Sequence, residues 1–295
     1  MKIFTSLNTG MLRSLRAWKG ILILWLVSLL LVSLVAVPMS SVLKAGVGSS
    51  MITEKLANGI NIEVFADLGA SFRNLVSYFS GGLFMILLVG FLINSLLSGG
   101  MFNKLKGFSG AFSYEEFFRV SVKYFWSFLV ISLIISLIIV FMAIVIIVIP
   151  VSIVSQSEPS SEGAAFNTGI IVAALFLLIL PLFLLAGDYA RSWQVLNDKI
   201  RCFKALGFGF RQAFRTLSSS YPLALTVMAI QLFYGWIVFR LLAGIKPVTE
   251  GGIILLFIIS QILFCIKILL KTWRYGSVTR LMELSSKTIA SSVIN

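Results

Sequence analysis

The side chains of this chain that could act on another molecule are mostly cations. Between Leu185 and Tyr221 stand Arg191, Lys199, Arg201, Lys204, Arg211 and Arg215, against only Asp188 and Asp198. Phe203, Leu206, Phe210, Phe214 and Leu217 recur on one helical face of that stretch, with Lys204, Arg211, Gln212 and Arg215 on the others. A helix so patterned lies flat at a membrane surface, its rings at the acyl boundary and its cations among anionic headgroups. Lys199, Arg201, Lys204, Arg211 and Arg215 are therefore the predicted contacts for anionic lipid or for a protein partner. The competing expectation is that the same face packs under the rest of the chain.

Catalytic groups are scarce. The chain has no histidine, which excludes a histidine proton relay, a Ser-His-Asp triad and a His-ligated zinc. Cys202 and Cys265 are its two cysteines, too few for a Cys-only metal site. There is no Walker-type glycine loop, and the pairs Gly81-Gly82, Gly99-Gly100 and Gly251-Gly252 read as caps and turns. No catalytic residue, cofactor or metal is predicted. The net charge of +13 could suggest nucleic acid, but in a chain this apolar it reflects topology and lipid contact instead.

The elements that carry these cations follow from composition. Hydrophobic residues make up 59% of the 295 and charged residues 12%, with a mean hydropathy of +1.02. A soluble domain needs more charge on its surface, and several apolar runs are long enough to cross a bilayer. The predicted fold is all-α: a polytopic integral membrane protein, one domain over 1–295. Its six transmembrane helices fall near 20–42, 81–98, 125–149, 166–187, 222–244 and 251–270. Gly99 and Gly100 end the second span, Pro150 stops the third, Pro181 kinks the fourth and Pro222 opens the fifth. A polar tail follows the sixth.

Two further amphipathic interfacial helices are expected. The first covers Met1–Lys19, with Phe4, Leu7, Met11, Leu15 and Trp18 on one face. The second lies in the long 43–80 loop, where Phe65, Leu68, Phe72, Leu75, Val76 and Phe79 align.

With the N-terminus placed in the cytoplasm, 19 of the 24 Lys and Arg fall in inside segments, while the acids divide 5 inside and 6 outside. An excess of Lys and Arg on cytoplasmic segments, with acids indifferent, is the expected topological signal. Both termini are thus predicted cytoplasmic and the protein multi-pass in the cytoplasmic (inner) cell membrane.

Spans two, four and six leave the membrane through short polar stretches, GGMFNKLK, GDYARSWQVL and KTWRYGSVTRLMEL. Three helical hairpins in series are one explanation. Shared interfacial chemistry is the other, since Phe72-Arg73 and Tyr78-Phe79 repeat the spacing of Phe118-Arg119 and Tyr124-Phe125 on the opposite side. The six spans, with the D-Y-A-R motif at Asp188–Arg191 after the fourth and a basic helix before the fifth, resemble poorly characterised prokaryotic membrane domains. One such domain is found fused to glycerophosphodiester phosphodiesterases. The likeness covers roughly 166–244, carries over no active residue of that enzyme, and implies a cytoplasmic-membrane protein of undefined role.

No carboxylate lies inside a predicted span, which argues against a proton- or sodium-driven pump. The intramembrane polar groups singled out are Gln231, Gln261 and Lys267. The two amides are expected to face the interior and each other's helix. Lys267 is expected to snorkel toward the headgroups or to bind an anion. Asp188 and Arg191, three apart on a helix, are expected to pair as a helix-end clamp. Two functions remain. One is a non-catalytic membrane subunit or scaffold that holds anionic lipid or a protein partner through its basic cytoplasmic face. The alternative is a small permease for an anionic or amphiphilic solute, using Pro181, Lys267 and Arg240.

Overall fold

A computed structural model describes residues 2–47, 69–106, 112–156, 162–198, 201–245 and 249–294. Every regular element among them is helical: α1 (Lys2–Arg16), α2 (Trp18–Val47), α3 (Gly69–Leu105) and α4 (Tyr114–Ala143). A π turn (Ile144–Val148) leads to α5 (Ile149–Gln156), followed by α6 (Glu162–Leu196), α7 (Cys202–Arg215), α8 (Leu217–Gly244) and α9 (Glu250–Ile294). Six helices are long and apolar enough to cross a membrane, which makes this a multi-pass membrane protein.

Five of the predicted spans each lie inside one of these helices, and the third, 125–149, runs from α4 through the π turn to the start of α5, but several predicted breaks do not occur. The second span runs through Gly99 and Gly100 to Leu105, and from Gly69 its helix already contains most of the predicted second interfacial helix. Phe65 and Leu68 lie outside the described residues. Pro150 does not stop the third span. The π turn precedes it, loosening the helix where the proline ring removes a hydrogen bond, and α5 continues to Gln156. α8 begins at Leu217, five residues before Pro222. The predicted polar tail is the continuation of α9. Ser113 caps α4, its side chain accepting from the Glu116 amide, as a Ser-x-x-Glu start predicts.

By its contacts the chain divides into two units. The smaller, 23–94, holds most of α2 and α3, which approach where Gly82 faces Val35 and Gly90 faces Leu31. The larger, 1–22 with 95–295, contains the buried core. Little of that core is in the apolar spans, where between 6% and 17% of residues are buried. It lies where helices run past their apolar stretch: Met101, Phe102 and Leu105 on α3, Leu185, Tyr189 and Ala190 on α6, and Tyr275, Val278 and Leu281 on α9.

These three exits, alike in sequence, touch one another. Phe102 stacks against Tyr275 at 4.6 Å, Lys106 donates to the Val195 carbonyl, and Asp188 meets Arg274. Each exit also receives the lead-in to another hairpin. The α3 exit packs on the start of α4, where the Gly100 amide donates to Ser121 Oγ and Glu116 accepts from Asn103 and Lys104. The α6 exit receives α7, with Trp193 stacked on Phe208. The α9 exit receives α1, where Trp273 donates to the Leu7 carbonyl and Arg13 grips Glu283 with both terminal nitrogens, at 2.9 and 2.8 Å. The three junctions close a ring.

α1 and α7 dock in the same way. Their buried positions are Ser6, Gly10, Arg13 and Ser14 on α1, and Ala205, Gly209, Gln212 and Ala213 on α7. Both stripes share the spacing i, i+4, i+7, i+8, with glycine at the second place. Small side chains let two helix backbones approach closely. A Cβ on Gly276 would lie 2.9 Å from the Gly10 carbonyl oxygen, and one on Gly209 would lie 2.9 Å from the Ala190 Cβ.

Candidate functional site

The sequence-predicted pair Asp188 and Arg191 forms, at 3.2 Å, but it is not a helix-end clamp. Asp188 lies within α6, fully buried, and its second oxygen accepts from Arg274 Nε at 2.8 Å. Arg191 also donates to Ser132 Oγ on α4 at 2.9 Å. Ser132 gives its own proton to the Phe128 carbonyl, which leaves its lone pairs for Arg191 and for Ser95 of α3. One carboxylate thus ties together α6 and α9 directly, and α4 and α3 through Arg191 and Ser132. A buried carboxylate is tolerated only when such partners replace its water. No local pattern pointed to Arg274, which is 86 residues from Asp188 in the chain.

Arg274 is also the inner end of a groove of about 470 Å³ between α8 and α9, the size of an ordinary small-molecule site. Gln231, Tyr234, Gly235, Val238 and Leu242 form one wall. Ser260, Leu263, Lys267, Lys271 and Arg274 contribute to the other. Two clips hold the walls at fixed register: Tyr234 donates to the Leu263 carbonyl at 2.6 Å and Gln231 to the Leu270 carbonyl at 3.2 Å. A carbonyl already bonded within its helix has a second lone pair for this. A Cβ at Gly235 would meet nothing within 4 Å, so the glycine leaves the groove open. Lys267, Lys271 and Arg274 share one face of α9 by their spacing, and no carboxylate is among the described residues that line the groove.

Gln231 faces α9 as expected, but its partner lies nine residues along the helix from Gln261, about 13 Å at 1.5 Å per residue. The antiparallel register therefore separates the two amides further than the sequence spacing suggested. Lys267 is exposed in the groove. Arg240, offered with it for a permease, is not among the lining residues and sits over the Trp236 ring instead.

The basic helix α7 is present, and its predicted apolar face is divided, with Leu206 and Phe210 packed partly against the core. Its small residues bury against α6, while Phe203 and Phe214 are 72% and 58% exposed. Arg201, Lys204, Arg211 and Arg215 are exposed beside them, and Lys199 lies outside the described residues. α1 divides in the same way: Leu7 packs partly against the core, while Phe4, Leu12 and Leu15, with Trp18 at the start of α2, are exposed. Near the end of α6, Asp198 adopts a left-handed backbone (φ 52°) and accepts from Lys123 and Tyr124. The Lys123 hydrogen bond, and then that of Tyr124, hold its carboxyl below the usual range. Gln194 is fully buried, and its side-chain amide has no hydrogen-bond partner among the described residues. Cys202 and Cys265 are both free thiols.

No protein-family model, curated protein or solved structure matches the chain.

Proposed function

We propose that this chain is a non-catalytic integral membrane protein, a subunit or scaffold whose basic cytoplasmic face binds anionic lipid or an acidic partner. It would sit in the cytoplasmic membrane with both termini inside. The observation that carries the reading is the outward face of α7. Its small-residue stripe is committed to the core, so Phe203 and Phe214 have no packing role there, and they stand among Arg201, Lys204, Arg211 and Arg215. Rings flanked by cations match the boundary between acyl chains and anionic headgroups. α1 repeats the pattern one junction away.

The test replaces Lys204, Arg211 and Arg215 with Gln. Each cation near an anionic surface contributes about 1 kcal/mol. The triple variant is therefore expected to fold normally but to lose on the order of a hundredfold in salt-sensitive binding of anionic vesicles or partner. Wild-type binding across a salt series would leave these residues only a topological role. The orientation has its own check. Single cysteines at Ser160 and Ser218, in a background lacking Cys202 and Cys265, should label from opposite sides of the membrane. Labelling of both from one side would remove the topology.

The groove fits this reading better than a passage. Its lining comes from α8 and α9 alone, so it opens along the side of a helix pair.

A further inference from the structure

We infer that the groove between α8 and α9 holds one anionic glycerophospholipid, its phosphate among Lys267, Lys271 and Arg274 and an acyl chain along Gly235, Val238 and Leu242. This goes beyond the α7 face, which offers a surface and not a single built position.

The argument begins with charge. Three cations fall on one face of α9 within about two turns, with no carboxylate among the lining residues. Asp188, behind them, reaches Arg274 and is shared with Arg191. Its charge is thus already divided between two guanidinium groups. Cations brought together beside an apolar wall repel one another and are disfavoured unless an anion joins them. Lys267 has no hydrogen bond or ion pair to any described residue, although it lies the farthest of the three from the inner end of α9.

Shape points the same way. Lys271 and Arg274 flank the Tyr275 ring, at 5.9 and 5.4 Å from its centroid, which holds the inner cations at one level. Beyond Lys267 the lining turns apolar toward Val238 and Leu242. A cationic end followed by an apolar trough parallel to the helices complements an anionic amphiphile lying along the membrane normal. Free phosphate would satisfy the cations but leave the trough empty. The clips at Leu263 and Leu270 prevent α8 from closing onto α9, and Gly235 supplies no side chain to fill the space.

The test uses full-length protein in phosphatidylcholine nanodiscs doped with phosphatidylglycerol. Native mass spectrometry reads the phosphatidylglycerol retained after a high-salt wash. Wild type should retain one molecule. Lys267→Gln with Lys271→Gln removes the charge, and Gly235→Trp fills the trough without touching a cation. Each variant should lower retention about tenfold or more, while the Lys204/Arg211/Arg215 triple variant retains the lipid. Excess inorganic phosphate should not displace it. Gly235 is exposed on a helix, and a larger residue there favours the helix. If that variant misfolds by circular dichroism and gel filtration, the double charge variant decides. Wild-type retention in the charge variant, or displacement by inorganic phosphate alone, overturns the assignment.

Discussion

Alanine at Asp188 is expected to lower the unfolding free energy by about 3–5 kcal/mol, the usual cost of removing one partner from a buried ion pair. The change strands Arg274 and Arg191 together, and both lie largely out of solvent. It also cuts the only carboxylate link between the α6 and α9 exits among the described residues. Asp188→Asn keeps one hydrogen-bond acceptor, turns the other oxygen into a donor facing an arginine, and should still cost less than alanine. Removing Asp188 and Arg274 together, as Leu and Met, should cost less than the two single changes added, because the pair's desolvation disappears with it. Thermal unfolding in one fixed detergent compares wild type with the two Asp188 variants, the double variant and its two single parents. An alanine variant within about 0.5 kcal/mol of wild type would mean that the ion cluster does not hold the exits together.

Two alanines two residues apart on α7 should move stability in opposite directions. Gly207 faces open space, so Gly207→Ala should gain about 0.5–1 kcal/mol from backbone entropy and helix propensity alone. At Gly209 the same methyl would run into the Ala186 carbonyl oxygen and the Ala190 Cβ. Those atoms belong to a buried helix and cannot rotate away. Gly209→Ala should therefore cost about 1–3 kcal/mol net, despite the same propensity gain. Because α7 would be lifted off α6, limited proteolysis at Arg201 or Arg215 should also speed up in this variant only. Equal shifts in the two variants would show that α7 is not seated by its small-residue stripe.

These predictions rest on features of unequal visibility in the sequence. Helical class and the existence of six apolar spans follow from run length and composition, because a bilayer demands about twenty apolar residues wherever a helix crosses it. That requirement is local, so a sequence reading meets it directly. The pairing of Asp188 with Arg191 was visible in the same way, since it needs only a few neighbouring residues.

What happens past the apolar runs was decided by tertiary packing. Gly99-Gly100 looked like a break because glycine is a poor helix former in isolation. In the fold it lets α3 lie against Ser121, and the contact outweighs the propensity. The apolar face of α7 could be read as meeting the membrane boundary or as packing under the rest of the chain, since both bury large apolar residues. Close helix packing instead selected Ala205, Gly209 and Ala213, and turned Phe203 and Phe214 outward. Spacing alone puts the groove cations Lys267, Lys271 and Arg274 on one helical face. They became one site only when α9 continued through Lys271 to Arg274, and when the Tyr234 and Gln231 clips set the register of α8 beside it. Register between antiparallel helices depends on side-chain contacts across the pair. No spacing within either helix encodes it.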